Sequence, residues 1–243
     1  MRILLFAFAA LAMVASPAAG QQVETVQFSA DPYERIYDAL IAGSDDEPTI
    51  EAALDWMVAE LRRDENIAFL EATYPDLLKR MRKAARPIIM RYSERVKLAY
   101  RPRMVALLRA DLTPDEAAEI ADFYASPIGR RLVAGVTQSY RPDAVLDTVL
   151  TDEQVTQADV ERDLSNATAA TLAGLSAEES RELFAAIAER PAMAKLAPVV
   201  PRITALRAEM EEEPMTAEEE GAIESAFLEI FDSLEDPKRD KRK

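Results

Sequence analysis

Eleven basic residues fall between positions 79 and 109: Lys79, Arg80, Arg82, Lys83, Arg86, Arg91, Arg95, Lys97, Arg101, Arg103 and Arg109, with Glu94 the only acid among them. Elsewhere acids dominate, and the whole chain carries a formal net charge of −15. A basic cluster of this kind attracts anionic groups, and two sources of anion compete for it. One is external, the head groups of an anionic membrane surface. The other is the chain itself: residues 31–76 hold thirteen acids against three bases, and residues 208–236 hold twelve acids against none. Charge matching within the fold is the favoured expectation, because so acidic a chain supplies its own partners. Nucleic acid is not an expected partner, since the overall field repels phosphate.

Covalent chemistry is narrowly bounded. The 243 residues contain no cysteine and no histidine. Disulfides, thiol nucleophiles, cysteine- or histidine-bound metals and every imidazole-based acid–base scheme are thereby excluded. Carboxylates, lysine, tyrosine and hydroxyls remain. The acidic runs Glu211-Glu-Glu213 and Glu218-Glu-Glu220 lack the alternating oxygen ligands and glycine of a calcium loop, and read as a solvated turn between helices. A carboxylate-dependent hydrolase of envelope polysaccharide is the least favoured function, because no close pair of acids is singled out. No catalytic residue, cofactor or metal is assigned.

The elements that must carry the basic cluster are helical. Only six glycines occur, alanine, leucine, glutamate and arginine abound, and no period-2 strand pattern is present. Helix starts are marked by a Ser/Thr three residues before Glu/Gln, at Thr113-Pro-Asp-Glu116, Thr151-Asp-Glu-Gln154, Ser176-Ala-Glu-Glu179 and Thr216-Ala-Glu-Glu219. Asp31-Pro32 and Ser126-Pro127 add starts with proline at the first helical position. Helices are expected over 31–42, 48–62, 65–73, 76–109, 114–125, 127–138, 142–149, 152–173, 177–189, 191–212 and 217–234. In the helix over 76–109, Leu77, Met81, Ala84, Ala85, Ile88, Ile89, Tyr92, Val96 and Ala99 share one arc, and Lys79, Arg80, Lys83, Arg86, Arg91, Arg95, Lys97 and Arg101 share the other. Its candidate interaction face is Arg80, Lys83, Arg86, Arg91 and Arg95. The apolar phase runs on through Pro87, which predicts one helix kinked there or two nearly coaxial ones. Tyr100-Arg-Pro102 and Tyr140-Arg-Pro142 are expected at helix boundaries, since proline disfavours helix in the residue before it. Trp56, the single tryptophan, is expected to anchor the core beside Leu54, Met57 and Leu61. The fold class is all-α, a multi-helix antiparallel bundle.

Residues 112–132 hold the most specific pattern. Leu112-Thr-Pro-Asp-Glu116 starts a helix, Ile120, Phe123 and Tyr124 form its apolar face, Ser126-Pro127 starts the next at once, and Gly129 permits close approach. Leu112, Phe123, Tyr124, Pro127 and Gly129 are expected to serve packing. This segment resembles the signature of exported bacterial proteins that carry the domain of unknown function 2059, over about residues 70–140. The resemblance implies a helical, exported, periplasmic protein and brings no activity with it. Leu112 to Ile120 also aligns without a gap on Leu175 to Leu183, and after one inserted residue Pro127, Arg131 and Leu132 meet Pro191, Lys195 and Leu196. Two explanations stand: a diverged duplication, or the shared grammar of capped helices. A true duplication implies two helical units stacked face to face.

Arg2, the apolar run Ile3 to Val14 and the small residues Ala15 to Gly20 have the order of a secretory signal, with cleavage expected between Gly20 and Gln21. Losing Arg2 takes the formal charge to −16. The expected organisation is a signal over 1–20, a disordered segment over 21–30, one helical unit over 31–140, a second over 141–236, and a disordered charged tail over 237–243. The functional expectation is a non-enzymatic exported protein of the bacterial cell envelope that binds an unidentified protein or envelope component. The alternative is a peripheral binder of anionic membrane surface acting through residues 79–101.

Overall fold

The computed structural model describes residues 31–42, 47–150 and 154–235. The expected signal, the segment 21–30, the tail 237–243 and the cap at Thr151 lie outside the described residues. Among the described residues eleven α-helices follow one another: α1 (Pro32–Tyr37), α2 (Glu47–Leu61), α3 (Glu65–Thr73), α4 (Leu77–Asp111), α5 (Pro114–Ala125), α6 (Pro127–Ser139), α7 (Asp143–Leu150), α8 (Gln157–Ala173), α9 (Ala177–Ala188), α10 (Val200–Glu211) and α11 (Ala217–Glu235). A π-helical turn, Asp38–Ala42, extends α1, and a 3-10 turn, Pro191–Leu196, precedes α10. No strand occurs among the described residues, and the all-α bundle is the observed architecture.

Caps form where hydroxyl and acid are spaced for them. Thr113 with Glu116 and Ser176 with Glu179 make reciprocal capping boxes. Thr216 and Glu219 make the same two hydrogen bonds, at 3.2 and 2.8 Å. Asp31 and Ser126 each accept from a first-turn amide ahead of a proline at the first helical position. Helix α8 differs from expectation: it starts at Gln157, because Thr156 and Asp159 form the capping box there. The expected helix over 191–212 is broken into the 3-10 turn and α10. Pro198 lies between them, and with no N–H it cannot continue a helical ladder.

Helix α4 is the spine, and α1, α2, α10 and α11 all pack along it. It runs unbroken through Pro87 and Pro102, so Tyr100-Arg-Pro102 is no boundary, whereas Tyr140-Arg-Pro142 does separate α6 from α7. Both α4 prolines are exposed, and so are Lys83 and Leu98, the residues four positions earlier whose carbonyls lose a donor. On an exposed face a carbonyl that lacks its helical donor can turn to solvent, which removes part of the cost of an internal proline. The expected apolar arc is the buried one, with Leu77, Met81, Ala85, Ile89, Tyr92 and Val96 nearly free of solvent, except that Ala99 is exposed and Lys97, expected on the basic arc, is buried instead. A single core joins residues from Tyr33 to Ala121 with residues from Ala192 to Ile230. Leu54, Met57 and Leu61 belong to it, and Trp56 packs half-buried between it and a smaller cluster around Val145 and Val160.

The two segments aligned in the sequence meet in space. Helix α5 lies against the 3-10 turn while α6 lies against α9. Arg131 pairs with Glu179 at 2.6 Å, and Lys195, its counterpart, pairs with Glu116 at 3.9 Å. Phe123 and Ile128 from one hairpin close on Leu183 from the other. The contact is reciprocal in its two ion pairs.

Candidate functional site

The basic face of α4 is largely covered by the chain's own acids. Arg82 pairs with Glu51 and, at 3.0 Å, with Asp55. Arg86 pairs with Glu47 and lies 3.7 Å from Glu51. Arg95 holds Glu219 through two hydrogen bonds of 2.9 and 3.0 Å and donates to the Pro214 carbonyl. Arg101 meets Glu34 and Asp38, Arg103 meets Glu209 at 2.5 Å, and Arg109 meets Asp31. The acids come from both of the acidic segments, 31–76 and 208–236.

Four of these arginines also lie over tyrosine rings: Arg95 on Tyr92, Arg101 on Tyr37, Arg103 on Tyr100 and Arg109 on Tyr33, at 5.0 to 5.5 Å from the ring centres. The phenols continue outward to backbone carbonyls, Tyr37 to Lys97 at 2.7 Å, Tyr92 to Glu213 at 2.5 Å, Tyr100 to Glu209 at 3.1 Å and Tyr33 to Leu112 at 2.9 Å. A planar guanidinium can stack and bind a carboxylate at once, which a lysine ammonium cannot. Of the five residues proposed as an interaction face, Arg86 and Arg95 are therefore engaged within the fold, and Arg80 bonds Ser233. Lys83 and Arg91 are exposed and, like Lys79, make no ion pair among the described residues.

The hairpin motif is mainly structural. Ser126 turns its N–H and its hydroxyl to the Phe123 carbonyl, at 3.0 and 2.6 Å, and accepts from Gly129 N–H at 3.1 Å. A Cβ on Gly129 would overlap that same carbonyl oxygen. Leu112 and Phe123 are buried, Pro127 sits exposed at the first position of α6, and Tyr124 meets Phe123 edge-on with ring centres 5.2 Å apart. Burial pushes the Tyr124 phenol up to about 12. Of Leu112, Phe123, Tyr124, Pro127 and Gly129, only Tyr124 borders an internal space.

That space is a cavity of about 610 Å³. Ile36, Tyr37, Leu40 and Ile41 line it from α1 and the π turn, Met104 and Leu108 from α4, and Leu132, Val133 and Val136 from α6. Leu164, Thr168, Ala169 and Leu172 line it from α8, and Leu196, Val200 and Ile203 from the chain around the start of α10. Helices α6 and α8 run antiparallel along its length: Gly135 lies so close to Thr171 that a Cβ would overlap its methyl group, while Val136 and Tyr140 pack with Leu164 and Ala167. Thr168 gives its hydroxyl to the Leu164 carbonyl at 2.8 Å, so its polar atom is satisfied within its own helix.

Polar groups gather at one end. The Thr204 hydroxyl bonds Glu161 at 3.1 Å, and the Arg207 guanidinium lies over the Tyr140 ring at 5.1 Å. Behind Arg207, Glu211 is 2% exposed, 3.7 Å from the guanidinium Nε. Burial raises its carboxyl to about 8, with Arg207 pulling the other way. Burial likewise raises Asp163, against two backbone N–H groups of α7 that favour its charge. Neither Asp163 nor Glu211 reaches the cavity wall; Glu161 is the one carboxylate that does. Among the described residues no cluster of acids is placed to hold a metal ion.

Sequence reasoning did not single out this cavity, because its wall is drawn from residues 36 to 207 and no short motif spans it. One local signal was present: Glu161, Leu164, Ser165, Thr168, Ala169 and Leu172 repeat at helical spacing, a stripe of small and apolar residues.

A family model described as an uncharacterized protein conserved in bacteria, the domain of unknown function 2059, matches residues 100–141. The match begins inside α4, covers α5 and α6, and starts later than the segment of resemblance read from the sequence. Over that segment the chain resembles the family. No curated protein and no solved structure matches the chain.

Proposed function

We propose that this chain is a non-enzymatic, exported binding protein of the bacterial cell envelope, and that its ligand site is the apolar cavity between α1, α6, α8 and α10. The observation that carries this reading is the cavity: about 610 Å³, walled mainly by aliphatic side chains, with its two charged groups, Glu161 and Arg207, at one end. That volume lies within the ~300–1,000 Å³ of small-molecule sites, and the lining has the composition of one. A binding role is favoured over catalysis because the three acids with raised pKa, Asp38, Asp163 and Glu211, do not line the cavity, and the chain has no imidazole or thiol. Export rests on the order of charged, apolar and small residues at the N-terminus. Titration with the neutral dye N-phenyl-1-naphthylamine tests the site. Saturable enhancement of its fluorescence at one dye per chain is expected, lost in a folded Leu164→Trp variant; absence of saturable binding to the parent protein overturns the reading.

A second reading, binding to anionic membrane surface, is favoured by the exposed Lys79, Lys83 and Arg91. It predicts salt-sensitive flotation with anionic vesicles, abolished by K79E/K83E/R91E. Lack of flotation at low salt removes it.

A further inference from the structure

The chemistry of the cavity specifies its ligand more closely, on the premise that the cavity is a binding site. Along α8 the lining runs from Glu161 to Leu172. At the 1.5 Å rise of an α-helix this is about 16 Å. One leaflet of a bilayer's hydrocarbon core, half of ~30 Å, is as long. The wall therefore offers apolar contact over the length of one lipid chain, and Leu172 and Val200, both exposed, stand at its rim.

The opposite end selects the head group. Tyr140 and Leu132 lie at opposite ends of the α6 wall, as Glu161 and Leu172 do on α8, and the two helices run antiparallel. Tyr140, Glu161, Thr204 and Arg207 consequently share one end. Glu161 accepts from Gln157 at 2.6 Å and lies 3.1 Å from the Thr204 hydroxyl, for whose single proton the Pro201 and Val200 carbonyls compete at 3.0 and 3.2 Å. A carboxylate has about four lone-pair sites, so it can accept further hydrogen bonds. Arg207, the only cation on the wall, faces Glu211 and the Tyr140 ring. An anionic head placed here would meet the Glu161 carboxylate, in a chain whose net charge is −15. A hydroxyl instead donates to Glu161 and accepts from Thr204 or Tyr140.

We propose that the cavity binds a single alkyl or acyl chain bearing an uncharged, hydroxylated head group, of the monoacylglycerol kind, with the chain between α6, α8 and α10 and the head at Glu161 and Thr204. Fatty acids and single-chain phospholipids share the tail and are rejected at the head.

Displacement of N-phenyl-1-naphthylamine from the full mature chain tests this, using 1-monomyristoylglycerol, myristate and myristoyl lysophosphatidylglycerol below their aggregation limits. The monoacylglycerol is expected to displace the dye at a concentration at least ten-fold lower than either anionic lipid. Glu161→Gln is expected to narrow that ratio at least three-fold by admitting myristate, and Thr204→Val to weaken the monoacylglycerol more than it weakens the dye. Equal or better displacement by myristate, or an unchanged ratio in both variants, overturns the inference. If the dye binds and none of the three lipids displaces it, the ligand class is wrong and the binding site stands. If the dye does not bind, both fall.

Discussion

Glu211 shows how one buried side chain ties stability to pH. Its carboxyl is enclosed, faces Arg207 at 3.7 Å and lies near Asp163 and Tyr140. Burial raises its pKa from 4.5 to about 8. The folded state thus holds this proton more tightly than the unfolded chain. Its contribution is full below about pH 4.5 and is lost as pH rises to about 8. At ~1.4 kcal/mol per pH unit the loss is a few kcal/mol. Thermal unfolding should show Glu211→Gln flattening the decline in Tm between pH 5 and 8 and stabilising the protein at pH 8; a parallel decline in both proteins refutes it. Gly129 supplies a second case. An exposed helical Gly→Ala change gains ~1 kcal/mol from propensity. Here the new methyl overlaps the Phe123 carbonyl, to which Ser126 is also bonded, so overpacking reverses the sign. A loss of ~2 kcal/mol is expected from denaturant midpoints, and a gain would show that the junction yields.

At the scale of elements, the reciprocal packing of α5–α6 on α9 and the 3-10 turn is held by apolar contact rather than by its ion pairs. Arg131 and Lys195 are about 60% exposed, where such pairs contribute at most ~1 kcal/mol. Leu183 is buried against Phe123 and Ile128. Leu183→Ala should cost ~2–4 kcal/mol and Arg131→Ala under ~0.5, read from urea unfolding. The reverse order would mean that charge sets this interface. The likeness of the two segments was legible in the sequence because caps, apolar phase and proline recur in both. The divergence was not: the 3-10 turn follows from where Pro191 and Pro198 fall relative to the packing on α5. Helix α4 was legible throughout its apolar arc. Its continuity through Pro102 was not, since that depends on which carbonyls face water.

Among the described residues the main core joins residues 33–121 with residues 192–230 around α4, and Trp56 packs where it meets a smaller cluster. Unfolding followed by Trp56 fluorescence and by far-ultraviolet circular dichroism should therefore coincide. Two separated transitions would indicate independent units.

Fold class, the basic arc, the caps and the exclusion of thiol and imidazole chemistry were set by the sequence alone, because each depends on residue type and on spacing within about two helical turns. The expectation that the chain neutralises its own basic helix also came from counts of charge. Which acid meets which arginine, the tyrosines beneath them and the cavity itself were decided only by the tertiary structure. A cavity is space left between side chains that do not fill it, and its wall joins residues as distant as Ile36 and Arg207. No local rule fixes such a gap, because its existence depends on the angles and distances at which helices meet.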